Sequence, residues 1–271
     1  MSGWQELGDG VFCRNYASLD FNVGAVVGPE GLLVIDTRAD LVEARELRDH
    51  LRELSPNPVQ WVVNTHYHWD HTWGNAEFVP AQIWGHVRCA EVLGRDGELH
   101  KAAIKASSPE RAGRIDDVVI TPPEHTFEER ASIEVGGERV VGLAHLGRGH
   151  TDSDLVVTVS GSEVTFAGDL IENGAPPSFG DSFPIDWPGA VARLLSIMCP
   201  SGPVVPGHGP VADRAFVAGQ HEELVRVAQI ARELHRARAT PDPVAPGAPY
   251  SDAIMRSALV RAFAQLDGAL G

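Results

Sequence analysis

Lysine, cysteine and long apolar runs are all scarce in this chain, and each shortage closes a class of function. Lysine occurs only at 101 and 105, and 22 basic residues face 37 acidic ones, a formal net charge of −15. Phosphate backbones are bound by basic surfaces, so no nucleic-acid partner is expected. The three cysteines, Cys13, Cys89 and Cys199, have no framework spacing, so no disulfide scaffold is expected. Cys13 and Cys199 sit among apolar neighbours and read as small buried hydrophobes. No stretch approaches the roughly 20 apolar residues of a membrane span. The first residues, Met-Ser-Gly-Trp-Gln-Glu-Leu, lack the basic and apolar regions of a secretory leader, which predicts a cytoplasmic location. The Gly-x-Ser-x-Gly elbow of serine hydrolases is missing too. What remains is a chain of 271 residues, 43% hydrophobic and 22% charged. Its length allows one large α/β domain or two small ones.

Histidine is where the chain becomes distinctive. His66, His68, Asp70 and His71 stand together as His-Tyr-His-Trp-Asp-His. Burying three imidazoles and a carboxylate unpaired would cost several kcal/mol. On a loop they form a preassembled set of metal ligands, suited to zinc first, with iron or manganese as alternatives. The apolar, β-branched run Val59 to Val63 before them reads as a buried strand. Past its end, His66 and His68 can point the same way at i and i+2. A turn into helix would send Asp70 and His71 elsewhere, a geometry that suits two metals better than one. Three further candidates follow strand-like runs. They are His150 after Val140 to Leu146, Asp169 after Val164 to Ala167, and His208 after Val204 and Val205. Each has glycine immediately before it, which permits tight strand-exit turns. Taken alone, Asp169 could equally be a helix cap.

The coarse reading alternates strands and helices. Residues 11–36 predict two or three strands with turns at Gly24 and at Pro29-Glu30-Gly31. Ala39 to Leu54 has apolar residues at 41, 44, 47, 51 and 54 and predicts an amphipathic helix, which makes a βαβ unit with the strand at 59–63. Residues 97–124 are polar and read as a helix and loop that could cover the site. Helices are also expected at Trp187 to Ile197, at 213–238 and at Met255 to Leu266. The domain reading is one catalytic domain over 1–238, with 239–271 a linker and a helix that packs on the domain or on a partner.

The ordered set His-x-His-x-Asp-His at 66–71, Gly-His-Thr at 149–151, Gly-Asp at 168–169 and Gly-His-Gly at 207–209 resembles the metallo-β-lactamase-fold superfamily. The resemblance covers roughly residues 5–235 and implies an α/β fold, an αββα sandwich of two mixed β-sheets flanked by helices. It implies one metal on His66, His68 and His150, a second on Asp70, His71 and His208, and Asp169 between them. Asp169 stands where one major group of zinc β-lactamases has Cys, as in the glyoxalase II, lactonase and RNase Z-like branches. The acidic charge weakens the RNase Z-like option.

The expected function is that of a dinuclear zinc hydrolase. A metal-bridging hydroxide would attack a small ester, thioester, lactone or amide, with Asp70 orienting it and taking its proton. The alternatives are a cyclase or lyase on a polyketide-like intermediate, a mononuclear-iron persulfide dioxygenase, and a metal-binding protein without turnover. Trp69 and Phe179 are expected on the substrate rim, with Tyr67, Trp73, Phe183 and Trp187 nearby. Thr151, Asp152 and Asp154 are candidates to hold the other ring nitrogen of His150, whereas His86 reads as structural. The oligomeric state is not legible.

Overall fold

The computed structural model describes residues 3–241 and 247–270. Seven strands form the first sheet, in sequential order: β1 (Gln5–Gly8), β2 (Val11–Tyr16), β3 (Phe21–Val27), β4 (Leu32–Ile35), β5 (Val59–Val63), β6 (Gln82–His86) and β7 (His125–Phe127). Its first four strands are antiparallel, and the pairs from β4 to β7 are parallel. The second sheet comprises β8 (Arg130–Glu134), β9 (Val140–His145), β10 (Leu155–Val159), β11 (Thr165–Gly168) and β12 (Val204–Pro206). Its spatial order is β12-β11-β10-β9-β8, with only β11 and β12 parallel.

The two sheets face each other across one apolar layer. Val11, Val26, Leu33 and Val63 from the first meet Val141, Leu143, Leu155, Val157 and Phe166 from the second. Helices close the outer faces. Helix α1 (Leu41–Leu51) lays Ala44, Leu47 and Leu51 on Val23, Val34 and Val62. Its start is fixed by Asp40, whose carboxylate accepts from the amides of Val42 and Glu43 at 2.9 Å each. On the other face, α5 (Trp187–Ile197), α6 (Arg214–Arg236) and α7 (Asp252–Leu266) share a core with Val156, Ala167 and Val204. The result is the expected αββα sandwich. Met255, Ala258, Leu259 and Ala262 of α7 belong to that same core. Residues 242–246 of the linker expected at 239–248 lie outside those described. No helix among the described residues is long and apolar enough to cross a membrane.

Two local expectations need correction. Gly24 is not a turn but lies inside β3, opposite Ile35. The chain reverses instead at Ser18–Asp20, where Leu19 and Asp20 take left-handed φ values of 64° and 51°. The helix expected within 97–124 begins ten residues earlier, as α3 (Val87–Ser107), and a short α4 (Ala112–Asp116) follows it. Here His86 accepts from the Arg88 amide and caps the helix, a polar start that no apolar period marks.

Candidate metal centre

All the sequence-predicted ligands sit at strand exits along one edge of the sandwich. β5 delivers His66 and His68, and the short helix α2 (Trp69–Thr72) carries Asp70 and His71, whose ring lies 4.0 Å from that of His66. β11 ends directly on Asp169, β12 leads to His208, and β9 leads to His150. Two sets result. His66, His68, His150 and Asp169 offer ligand atoms that all lie within 4.8 Å of one another, and so do Asp70, His71 and His208. Asp169 faces both sets. Its Oδ2 is 3.4 Å from His150 Nε2 and 3.5 Å from His208 Nε2, and its Oδ1 is 3.3 Å from His71 Nε2. Asp70 Oδ2 is 3.2 Å from His208 Nε2. Of the three preceding glycines, only Gly168 uses a left-handed φ, 52°. Gly207 supplies room instead, since a Cβ there would lie 1.8 Å from Asp169 Oδ1.

These atoms fit a cation better than they fit one another. His66 Nε2, His71 Nε2 and Asp169 Oδ1 are buried and have no hydrogen-bond partner. Native proteins rarely leave such atoms unpaired without a function or an ion. Imidazole nitrogens and carboxylate oxygens converging in a buried pocket are the donor set of a zinc-type site.

The family model for the metallo-beta-lactamase superfamily matches residues 21–211, more than half the chain and all seven of these side chains. The chain belongs to the metallo-beta-lactamase superfamily. A metallo-beta-lactamase type 2 from Bacillus sp. (strain 170) is 22% identical over 191 residues, 69% of this chain and 66% of that enzyme. The chain therefore aligns with just under two thirds of that relative's length. Among solved structures, the stereoselective inverting sec-alkylsulfatase Pisa1 from Pseudomonas sp. superposes with a TM-score of 0.79 at 15% identity. That match covers 98% of this chain and 50% of the sulfatase. The metallo-beta-lactamase FIM-1 from Pseudomonas aeruginosa, in its mono-zinc form, gives 0.62 at 20% identity over 83% of this chain and 95% of its own. Both structures share the superfamily fold.

A ring of supporting groups orients the imidazoles. Buried Asp36, at the end of β4 with φ 64°, contacts His71 Nδ1 at 2.8 Å and accepts from the Thr65 amide and hydroxyl at 2.8 and 2.7 Å. This contact turns His71 Nε2 toward Asp169. Asp181 lies 2.9 Å from His68 Nε2 and accepts from the Tyr67 hydroxyl at 2.8 Å, which leaves His68 Nδ1 facing His150 Nε2 at 2.8 Å. His208 Nδ1 donates to the Leu19 carbonyl at 2.8 Å. The partner of His150 is a correction. Glu172 approaches its Nδ1 at 3.3 Å, while Asp154 accepts from the Thr151 amide and hydroxyl and Asp152 pairs with Arg88. Loop closure holds Asp154 under its own turn, out of reach of the ring. The Asp181 loop is itself tied to α7, where Arg261 donates to the Asp181 and Ser182 carbonyls and Gln265 accepts from the Ile185 amide.

Asp181→Asn should therefore weaken metal binding at the His68 set by about 10–100-fold, the usual effect of losing such a partner. Chelator competition, with folding checked by thermal melting, reads this. An unchanged affinity would show that Asp181 does not position His68.

The site opens into a cavity of about 650 Å³. Trp69 lies on its wall, and His100, Ala103 and Ile104 of α3 form one side, so this helix borders the site. Phe179 is not on the rim. It is 2% exposed and packs on Trp187 and Tyr250, while Ser178 and Asp181 of the same loop line the cavity. The alternating loop backbone sends its apolar side chain into the α5–α7 core. Trp73, Phe183 and Trp187 are buried as well. Cys199 is half-buried rather than buried, unlike Cys13 and Cys89. His86 is structural, reaching the Glu128 carbonyl and stacking on His145.

Electrostatics follow from crowded carboxylates. Burial opposes charge on His71, but Asp169, Asp36 and Asp70 outweigh it and raise its pKa to about 10. His150 rises to about 9 against the same burial penalty, through Asp169 and Glu172, and His208 to about 12 through Asp169 and Asp70. Burial would raise Asp70, yet His71 and His208 hold it at about 2. His66 moves the other way, well below its ordinary value, because burial and the neighbouring His71 disfavour its charge.

Proposed function

We propose that this chain is a dinuclear zinc-dependent hydrolase of a small-molecule ester, thioester, lactone or amide. The observation that carries the reading is the convergence of seven side chains into two adjoining sets, with Asp169 of the first also facing His71 and His208 of the second, and with buried atoms left for a cation. His66, His68 and His150 would hold one ion, Asp70, His71 and His208 the other, and Asp169 both. Bound metal would supply a Lewis acid and a water acidic enough to ionise near neutral pH, about 7 rather than 15.7. The chain's own groups do the rest. Asp36, Asp181 and the Leu19 carbonyl fix the orientations of His71, His68 and His208, and Glu172 lies 3.3 Å from His150 Nδ1. Asp70 lies on the cavity wall with its pKa lowered, and its carboxylate would orient the attacking water and take its proton. Trp69 would bound the substrate on the rim. Asp at 169, rather than Cys, favours the Asp-bridged branch. The redox alternative uses one iron, and assembly of Asp70, His71 and His208 as a second set favours two metals. The charge of −15 supports a small-molecule rather than nucleic-acid partner, and a cytoplasmic site of action remains part of this proposal.

The purified protein should carry close to two transition-metal equivalents, zinc by default. The same preparation should turn over at least one member of a panel of chromogenic esters, thioesters, lactones and a cephalosporin. A single iron at full occupancy, with the Asp70 set empty, would sink the dinuclear reading. Metal must also compete with protons. In the metal-free chain His71, His150 and His208 hold protons at pH 7, because their pKa values are raised. Zinc uptake should release them, and apparent affinity should rise with pH. Calorimetry in buffers of different ionisation enthalpy reads the release, and binding without it would contradict the ligand assignment.

A further inference from the structure

The walls of the active-site cavity are unusual in charge. Among the described residues they carry the carboxylates of Asp20, Asp70, Asp169, Glu172 and Asp181, and no lysine or arginine. Composition does not force this. The chain has 22 basic residues, and a separate cleft of about 660 Å³ between α5 and α6 is lined by Arg148, Arg193 and Arg232. Nearby guanidinium groups face elsewhere. Arg111 sits over the Trp69 ring at 5.4 Å but is held by Glu43 and Ser18. Arg261 lies behind the Asp181 loop, bound to its carbonyls. Two divalent ions would bring four positive charges against those five carboxylates, so the filled cavity stays without positive excess. Beyond the metals, a substrate's carboxylate, sulfate or phosphate would enter without a counter-charge and lose hydration. Leu19, Trp69, Ala103, Ile104 and Ala175 offer apolar contact on the same walls.

We infer that the site selects substrates that are uncharged or cationic away from the scissile bond, and rejects those that carry an anionic group there. This rests on the dinuclear reading above. The walls then act as a charge filter, and the apolar face receives the neutral portion of the substrate.

The test uses metal-seeking aryl thiols that carry a neutral, an anionic or a cationic para substituent. 4-Methylbenzenethiol, its para-carboxylate analogue and its para-trimethylammonium analogue are titrated into the cobalt-substituted protein at pH 8, after cobalt stoichiometry has been measured. Binding is read from the thiolate–cobalt absorption band. The carboxylate should bind at least tenfold more weakly than the neutral thiol, and the cation at least as tightly as the neutral thiol. Salt should narrow the gap, as it does for exposed charges. Ala103→Arg places a cation on the wall at a helical position and should narrow the carboxylate gap about three- to tenfold. Equal binding of carboxylate and neutral thiol by the two-metal protein would overturn the charge filter alone. An unchanged gap in folded, two-metal Ala103→Arg would do the same. A protein that takes up fewer than two cobalt ions would overturn the dinuclear reading on which the filter depends.

Discussion

His68→Ala is expected to abolish turnover and to strip metal from the first set, while His125→Ala leaves both unchanged. His68 caps the short helix α2 with its backbone, and its ring is 22% exposed, so removing the ring should spare the fold. What is lost is one of three imidazoles around a single point, with Nδ1 2.8 Å from His150 Nε2. A structural zinc site is worth about 10–16 kcal/mol in all, so one ligand of four carries roughly 3 kcal/mol. Metal affinity should then fall about 10²-fold or more. His125 is the control because it too is a partly exposed histidine. It opens the edge strand β7, stacks on Trp84 at 4.8 Å, lies 3.6 Å from Glu124, and belongs to neither ligand set. Metal analysis and activity on the same preparations decide the matter. Equal damage from both substitutions would mean that the ligand set has been misassigned.

Asp70→Asn isolates the proton chemistry. Asn keeps the size and an oxygen at the position 3.2 Å from His208 Nε2, so the fold should persist. The negative charge disappears, and with it the group that can take a proton. General-base assistance is typically worth about 10²–10⁴-fold, so kcat should fall by about that much, with a smaller change in KM. Weaker occupancy of the second set could imitate this result, so rates are compared at matched metal content. A metal-replete Asn variant that works at the wild-type rate would remove Asp70 from the mechanism while leaving the fold and the other ligands in place.

The sequence alone determined the main strands, the main helices and the seven candidate ligands because these are written locally, and the sandwich followed from the family resemblance that the ligand motifs carry. Strand β5 is read from the apolar run Val59–Val63, α1 from its 44, 47, 51 stripe, and each ligand from a polar residue at the exit of an apolar run. Asp36 carried the same signal, an acid ending the apolar run Leu32–Ile35, and could have been found by it. Tertiary structure alone decided the rest. Glu172 and Asp181 reach the imidazoles from a loop with no periodicity, and Asp181 is held there by Arg261, 80 residues further along the chain. Phe179 and Trp69 read alike as rim aromatics, yet one was drawn into the α5–α7 core and the other left on the cavity wall. A periodic element fixes the direction of its side chains by its own hydrogen bonds. A loop takes that direction from whatever packs against it, and packing partners distant in sequence leave no local trace.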